Sequence, residues 1–164
     1  MSTADIGTLQ RTPTGFEGQL TRQLDHDAVA VWRMLTDPLA MAQWLAPGSV
    51  EQRAGGTVHI DFADSGTVID SRVRAFEDGR LLAYSWSSGS EPERPMRWEL
   101  VPANGGTRLT LTLHIPAQED AAKACAGFEG HLDMLAAALE GVPIKFPFQR
   151  FLQARGAYTE QLAG

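Results

Sequence analysis

The chain has 164 residues with a formal net charge of −6, and 43% of them are hydrophobic. This length fits one domain with a buried core, and the negative charge argues against nucleic-acid binding and against attachment to an anionic membrane surface. The single cysteine, Cys125, excludes an intrachain disulfide. The sequence has no basic start followed by an apolar run and no apolar stretch of about 20 residues, so we expect a cytoplasmic protein without a membrane span.

The first part of the chain predicts one strand and two short helices. Residues 1–14 are polar and predict a flexible lead-in. The stretch "FEGQLTRQL" (16–24) alternates apolar and polar residues, which predicts the first strand. Helical spacing follows, and Asp25 or Asp27 can cap this helix. An Asp-Pro pair ends the helix, and "LAMAQWLA" predicts a second short one.

The second part predicts a meander of strands and then a long helix. Turn residues such as Asp78-Gly79 and "ANGG" separate the strands. The five strands are predicted at 57–63, 66–80, 80–87, 96–102 and 107–116. An apolar stripe then runs from Phe128 to Leu139 at helical spacing, which predicts an amphipathic helix over 118–141 that ends at Gly141.

This order of elements predicts an α+β domain over residues 15–141. We expect a curved six-stranded antiparallel sheet that grips the long C-terminal helix, with two short helices after the first strand. The space between sheet and helix is a natural ligand pocket. Residues 142–164 form an aromatic-rich extension, predicted to be helical from about Phe148. Three interpretations of the extension stay open: it caps the pocket mouth, forms a dimer contact or packs on its own sheet.

The candidate binding residues are a histidine and a set of apolar side chains. His131 lies at the border of the apolar stripe, where an imidazole could hydrogen-bond a ligand carbonyl or move a proton near neutral pH. The alternative is a boundary histidine bonded to a strand or to water. Aromatic rings on the strands and on the second helix could wall a pocket, or they could be ordinary core. The expected lining residues are Trp44, Tyr84, Trp86, Trp98, Phe128, His131 and Leu132.

Other site chemistry finds little support in the sequence. The four histidines include no pair at i, i+4, and a GxSxG motif is absent. Cys125 lies in an alanine-rich helical stretch, which favours a small buried filler over a reactive thiol. We therefore expect neither a metal nor a cofactor.

Four stretches carry a resemblance to a known family: "AVWRMLTDPLAMAQWLAP", "RLLAYSW", "RWELVPANGGTRLTLTLHIP" and "GFEGHLDMLAAALEG". They resemble the START-like helix-grip (SRPBCC) superfamily, in the branch that includes the C-terminal domain of the activator of the 90-kDa heat-shock protein ATPase. The resemblance covers residues 16 to 141 and implies the helix-grip fold. It implies a wide range of functions, from carriers of apolar ligands to polyketide cyclases and co-chaperone domains.

Three hypotheses for function follow. The first is a soluble protein that binds a small, mostly apolar molecule between the sheet and the long helix. The second is a cyclase- or hydrolase-like enzyme with His131 as acid or base, ranked lower because no second catalytic partner stands out. The third is a co-chaperone-like interaction module. The expected partner is a small hydrophobic molecule rather than nucleic acid or membrane, and a homodimer through the extension is a further hypothesis.

Overall fold

The computed structural model describes residues 6–163, which form an antiparallel sheet and four helices. The strands, in chain order, are β1 (Thr8–Thr12), β2 (Gly15–Leu24), β3 (Gly48–Val50), β4 (Thr57–Asp61), β5 (Val68–Glu77), β6 (Leu81–Ser85), β7 (Pro95–Ala103) and β8 (Gly106–Pro116). The helices are α1 (Ala28–Thr36), α2 (Pro38–Trp44), α3 (Ala121–Leu139) and α4 (Phe148–Ala163).

The sheet has eight strands in the order β1-β2-β8-β7-β6-β5-β4-β3. The prediction of six strands was wrong because it omitted the two strands at the sheet edges. β1 lies within the lead-in predicted over 1–14, of which residues 1–5 fall outside the described range, and Leu9 is its one buried side chain. β3 has three residues. Strands that bury so few side chains leave no readable alternation in the sequence.

Two aspartates begin the first two helices. Oδ1 of Asp27 accepts a hydrogen bond from the Ala30 amide at 2.9 Å, and Oδ2 of Asp37 accepts one from the Ala40 amide at 3.0 Å. A short carboxylate satisfies an amide that has no partner inside the helix. Asp37 therefore ends α1 and caps α2 at once, as the Asp-Pro pair indicated. These two helices then pack against the long helix α3.

α3 packs against β1, β2 and β8 of the sheet, and a glycine permits its close approach. A Cβ atom at Gly18 would lie 2.5 Å from Sγ of Cys125, a distance that real contacts do not reach. Cys125 is fully buried, and burial raises the pKa of its thiol to about 12. The thiol is therefore protonated at neutral pH and fills space, as predicted.

The extension packs on its own chain. α4 lies against α3 and along the open edge of β1, where its side chains take the place of a neighbouring strand. Oε1 of Gln161 accepts a hydrogen bond from the Leu9 amide at 2.8 Å, and Nε2 of Gln161 donates to the Gly7 carbonyl at 3.0 Å. These bonds pair backbone groups that an edge strand would otherwise leave open. Within residues 6–163, no helix is long and apolar enough to cross a membrane.

Gly156 offers a simple test of α4. It lies in the interior of this helix with no atom within 4 Å of the position of a Cβ. Gly156→Ala is expected to raise the free energy of unfolding by about 0.5–1 kcal/mol, because alanine loses less conformational entropy in a helix. Urea denaturation measures the change. A loss of stability would contradict the helical assignment of this segment.

Candidate functional site

A cavity of about 640 Å³ opens beside the first half of α3. The helix forms one side, and the other side is built by the segment that joins β4 to β5 and the segment that joins β6 to β7. Four aromatic rings in its lining are here called the aromatic wall: Phe62, Trp86, Phe128 and Phe151. Two pairs of these rings meet edge to face, with centroids 5.8 Å apart for Phe62–Trp86 and 5.1 Å apart for Trp86–Phe128, a favoured geometry for aromatic pairs.

Five charged side chains near the start of α3 form the other end of the cavity, here called the charged rim: Glu91, Arg94, Glu119, Asp120 and Lys123. Arg94 joins the two sides of this end. Its Nε and Nη2 atoms donate to the two carboxylate oxygens of Glu119 at 2.7 and 2.9 Å, and its Nη1 donates to the Trp86 carbonyl at 2.9 Å. A bidentate pair fixes the planes of both groups, so Arg94 holds the backbone of a wall residue against the start of the helix.

His131 lies one turn beyond Phe128 on α3 and is surrounded by rings. Its ring centroid is 6.0 Å from that of Phe62, 6.3 Å from that of Phe128 and 5.4 Å from that of Phe146. Its Nδ1 atom is 3.0 Å from the carbonyl oxygen of Trp44. Burial lowers the pKa of His131, and the bond to Trp44 opposes that shift only in part. The imidazole is therefore neutral at pH 7.

A glycine permits the contact between the extension and this site. A Cβ atom at Gly130 would lie 2.6 Å from the Phe146 ring. Without a side chain at this position, the Phe146 ring lies directly on α3 next to His131. The segment after α3 thus covers one side of the histidine, while Phe151 of α4 contributes to the aromatic wall. The extension combines packing on its own chain with contact to the cavity.

The family model described as "Activator of Hsp90 ATPase homolog 1-like protein" matches residues 25–140. The chain belongs to this family. The resemblance inferred from the four sequence stretches is thus confirmed. The match ends where α3 ends, so α4 lies outside the part of the chain that the Activator of Hsp90 ATPase homolog 1-like family model describes.

Solved structures of similar proteins share the fold. CalU16 from Micromonospora echinospora is 19% identical, with a TM-score of 0.79 over 96% of both chains. The protein encoded by BPP1335 from Bordetella parapertussis is 25% identical, with a TM-score of 0.69 over 99% of this chain and 96% of that one. DynU16, from the dynemicin biosynthetic locus, is 29% identical with a TM-score of 0.71 over 77% of this chain, which spans 48% of DynU16. No curated protein matches the sequence.

The structure of this Activator of Hsp90 ATPase homolog 1-like chain separates the seven predicted lining residues into two groups. Trp86, Phe128 and His131 line the cavity. The other four are at most 2% exposed and pack in the core outside the lining: Trp44, Tyr84, Trp98 and Leu132. The prediction that these seven side chains bind a ligand stays a prediction.

Trp44 reaches the site through its backbone alone. Its indole Nε1 donates to the Met34 carbonyl at 2.7 Å, and its ring packs edge to face on Trp98 with centroids 5.9 Å apart. The indole N–H is therefore already paired inside the protein. What Trp44 offers the cavity is its carbonyl oxygen, which orients His131.

Sequence reasoning missed several lining residues, including two in the connecting segments and one on the extension. Phe62 follows β4, Arg94 precedes β7, and Phe151 lies on α4. The one available signal was the excess of rings in the extension, which argued against full exposure. Among the residues that the structure describes, no three His, Cys, Asp or Glu side chains converge as a metal site would require.

Proposed function

We propose that this protein binds a small, mostly apolar molecule in the cavity between α3 and the segments that join β4 to β5 and β6 to β7. The observation that carries the proposal is the cavity itself: about 640 Å³, with an aromatic wall and a charged rim. Ligand sites commonly have volumes of about 300–1,000 Å³ and combine apolar surface with a few polar groups. Burial of apolar ligand surface supplies about 25 cal/mol per Å². The fold supports the proposal, since helix-grip proteins commonly bind small hydrophobic ligands.

Gly127 provides a way to fill the cavity without disturbing the core. It lines the cavity, and no atom lies within 4 Å of the position of its Cβ. Gly127→Leu is expected to weaken binding of the neutral fluorescent probe N-phenyl-1-naphthylamine at least tenfold. The same change should raise the free energy of unfolding by about 0.5–1 kcal/mol, because leucine favours the helix. Fluorescence titration and urea denaturation measure the two effects.

The matched control is Gly156→Leu, which places the same side chain on an open helical position outside the cavity lining. We expect it to bind the probe as the natural protein does. Equal binding by both variants would contradict the cavity as the binding site. Native mass spectrometry of the protein purified from its own host then identifies the bound molecule, whose mass should be absent from the Gly127→Leu variant.

Catalysis of a cyclase or hydrolase type is the alternative that one observation favours. His131 is neutral and lines the cavity, so it could accept a proton from a bound substrate. The carboxylates of the cavity lie in its charged rim, and Asp120 is eleven positions from His131, which corresponds to about 16 Å along the helix. That separation leaves the histidine without a nearby carboxylate from the rim, and we therefore rank binding first.

A co-chaperone role is the candidate that the family description supplies. Its name refers to activation of the Hsp90 ATPase. The discriminating measurement adds this protein to the 90-kDa heat-shock protein and follows ATP hydrolysis. Stimulation that persists in Gly127→Leu would favour the interaction module over the ligand-binding protein.

Dimerisation through the extension stays a hypothesis within this proposal, as does the cytoplasmic location. Five apolar side chains of the extension are exposed: Val142, Ile144, Phe146, Phe148 and Leu152. Their exposure is compatible with a contact to a second copy. Sedimentation equilibrium of the natural protein and of Phe148→Ser distinguishes monomer from dimer.

A further inference from the structure

The hydrogen bond between His131 and Trp44 decides which nitrogen of the imidazole carries the proton. The Trp44 carbonyl oxygen can only accept, so the Nδ1 atom that lies 3.0 Å away is the donor. A neutral imidazole has one N–H, and the other nitrogen bears a lone pair. Nε2 of His131 is therefore a hydrogen-bond acceptor that cannot donate.

This acceptor has no partner within residues 6–163. None of the hydrogen bonds between described residues involves Nε2 of His131. Among the described residues, every buried side-chain nitrogen or oxygen except Nε of Arg150 has a hydrogen-bond partner. Nε2 of His131 has no partner and is not in that buried group, so this atom is not enclosed by protein. The rings of Phe62, Phe128 and Phe146 lie around the imidazole. His131 thus brings to the cavity lining an acceptor without a partner among the described residues, and the rings around it are aromatic.

We propose that His131 determines ligand specificity by accepting a hydrogen bond from a hydroxyl or N–H group of the ligand. This inference rests on the proposed function, because it assumes that a molecule fills the cavity. A ligand with an ether or carbonyl oxygen at this point would set two acceptors against each other. A site discriminates strongly against an analogue that leaves one of its polar groups without a hydrogen bond. The earlier expectation of a bond to a ligand carbonyl does not fit this tautomer.

The position of His131 along α3 also sets the length of the ligand. Lys123 of the charged rim lies eight residues before His131 on the same helix, which corresponds to about 12 Å at the rise of an α-helix. The ligand class that fits is an elongated, mostly aromatic alcohol, phenol or amine. Its donor group lies against His131, its rings against the aromatic wall, and its most polar end toward the charged rim.

Two naphthalene probes that differ in one hydrogen-bond donor test the role of His131. 2-Naphthol carries a hydroxyl, and 2-methoxynaphthalene carries an ether in the same place. The variant His131→Asn keeps an amide N–H near the position of Nδ1, so it can still donate to Trp44, and it lacks an atom at Nε2. We expect it to weaken 2-naphthol binding about tenfold, which is the contribution of one buried hydrogen bond. Binding of 2-methoxynaphthalene should change less than threefold.

The comparison uses the ratio of the two affinities in each protein, which removes the difference in hydrophobicity between the probes. His59→Asn is the control, because His59 is an exposed residue of β4 outside the cavity lining, and it should leave the ratio unchanged. His131→Phe, which keeps a ring and lacks both nitrogens, provides a second variant should the asparagine variant fail to fold. An unchanged ratio in the His131 variants would overturn the inference alone. Failure of both probes to bind the natural protein would overturn the proposed function.

Discussion

Replacement of Glu129 by alanine is expected to lower the free energy of unfolding by about 3–5 kcal/mol. Glu129 lies on α3 with 0% of its surface exposed. Its Oε1 atom is 2.7 Å from Nη2 of Arg22, and its Oε2 atom accepts hydrogen bonds from the Gly7 amide at 2.8 Å and from the Tyr158 hydroxyl. One carboxylate thus joins β2, the start of β1 and α4 to the long helix.

The expected loss of unfolding free energy in Glu129→Ala arises because the partners of Glu129 are themselves buried or half-buried. Nη1 of Arg22 also pairs with Asp133 at 2.8 Å, and Arg150 of α4 lies 3.4 Å from the same aspartate. Without Glu129, these two guanidinium groups share a single carboxylate, and the Tyr158 hydroxyl loses its acceptor. Removal of one member of a buried charged network leaves the others desolvated and uncompensated.

Urea denaturation of Glu129→Ala and Glu129→Gln measures this contribution. The glutamine variant keeps an acceptor for Gly7 and Tyr158 and loses the charge, so its loss should be smaller. Glu140→Ala is the control, because Glu140 is exposed and its one ion-pair partner among the described residues is His26, and exposed pairs contribute at most about 1 kcal/mol. A Glu129→Ala variant as stable as the control would show that the cluster does not hold α4 in place.

Replacement of Trp44 by alanine is expected to cost about 3–5 kcal/mol of unfolding free energy. The side chain is 1% exposed and packs against Trp98, so its removal leaves a cavity in the core and deprives the Met34 carbonyl of its donor. Trp44→Phe keeps most of the packing and loses the N–H, with an expected cost of about 1–2 kcal/mol. Thermal or urea denaturation measures both variants.

The same variants distinguish core from pocket wall. Because the indole lies outside the cavity lining, Trp44→Phe should bind N-phenyl-1-naphthylamine within threefold of the natural protein. Retained stability with lost binding would assign Trp44 to the wall instead. A loss of stability with retained binding is the expected result.

Local chemistry made much of the fold predictable. The turn at Asn104-Gly105 has positive φ angles of 50° and 79°, which asparagine and glycine tolerate, and the sequence "ANGG" indicated it directly. Gly141 has a φ of 80° at the end of α3, as the sequence predicted. The edge strands β1 and β3 escaped prediction, since pairing with a neighbour, rather than their own pattern of burial, makes them strands.

The site was less predictable than the fold, and the reason is geometric. Alternation along a strand shows on which face of the strand a ring lies. It does not show which part of that face the helices cover. Tyr84 and Trp86 are two positions apart with ring centroids 6.5 Å apart, yet Tyr84 is 2% exposed in the core and Trp86 lines the cavity. His131 was recognisable from its place at the border of the stripe. Its tautomer was not, because the Trp44 carbonyl that fixes it lies 87 positions away in the chain.

The contact between Gly130 and Phe146 brings the segment beyond the family match against the site. The family match ends at residue 140, while Phe146 and Phe151 of the following segment lie against His131 and the cavity. Part of the cavity lining therefore lies outside the residues that the family model matches. The same segment carries Arg150 and Tyr158 of the buried Glu129 cluster, so a change of its cavity-facing rings leaves that cluster intact, whereas loss of the whole helix removes both the cluster and part of the lining.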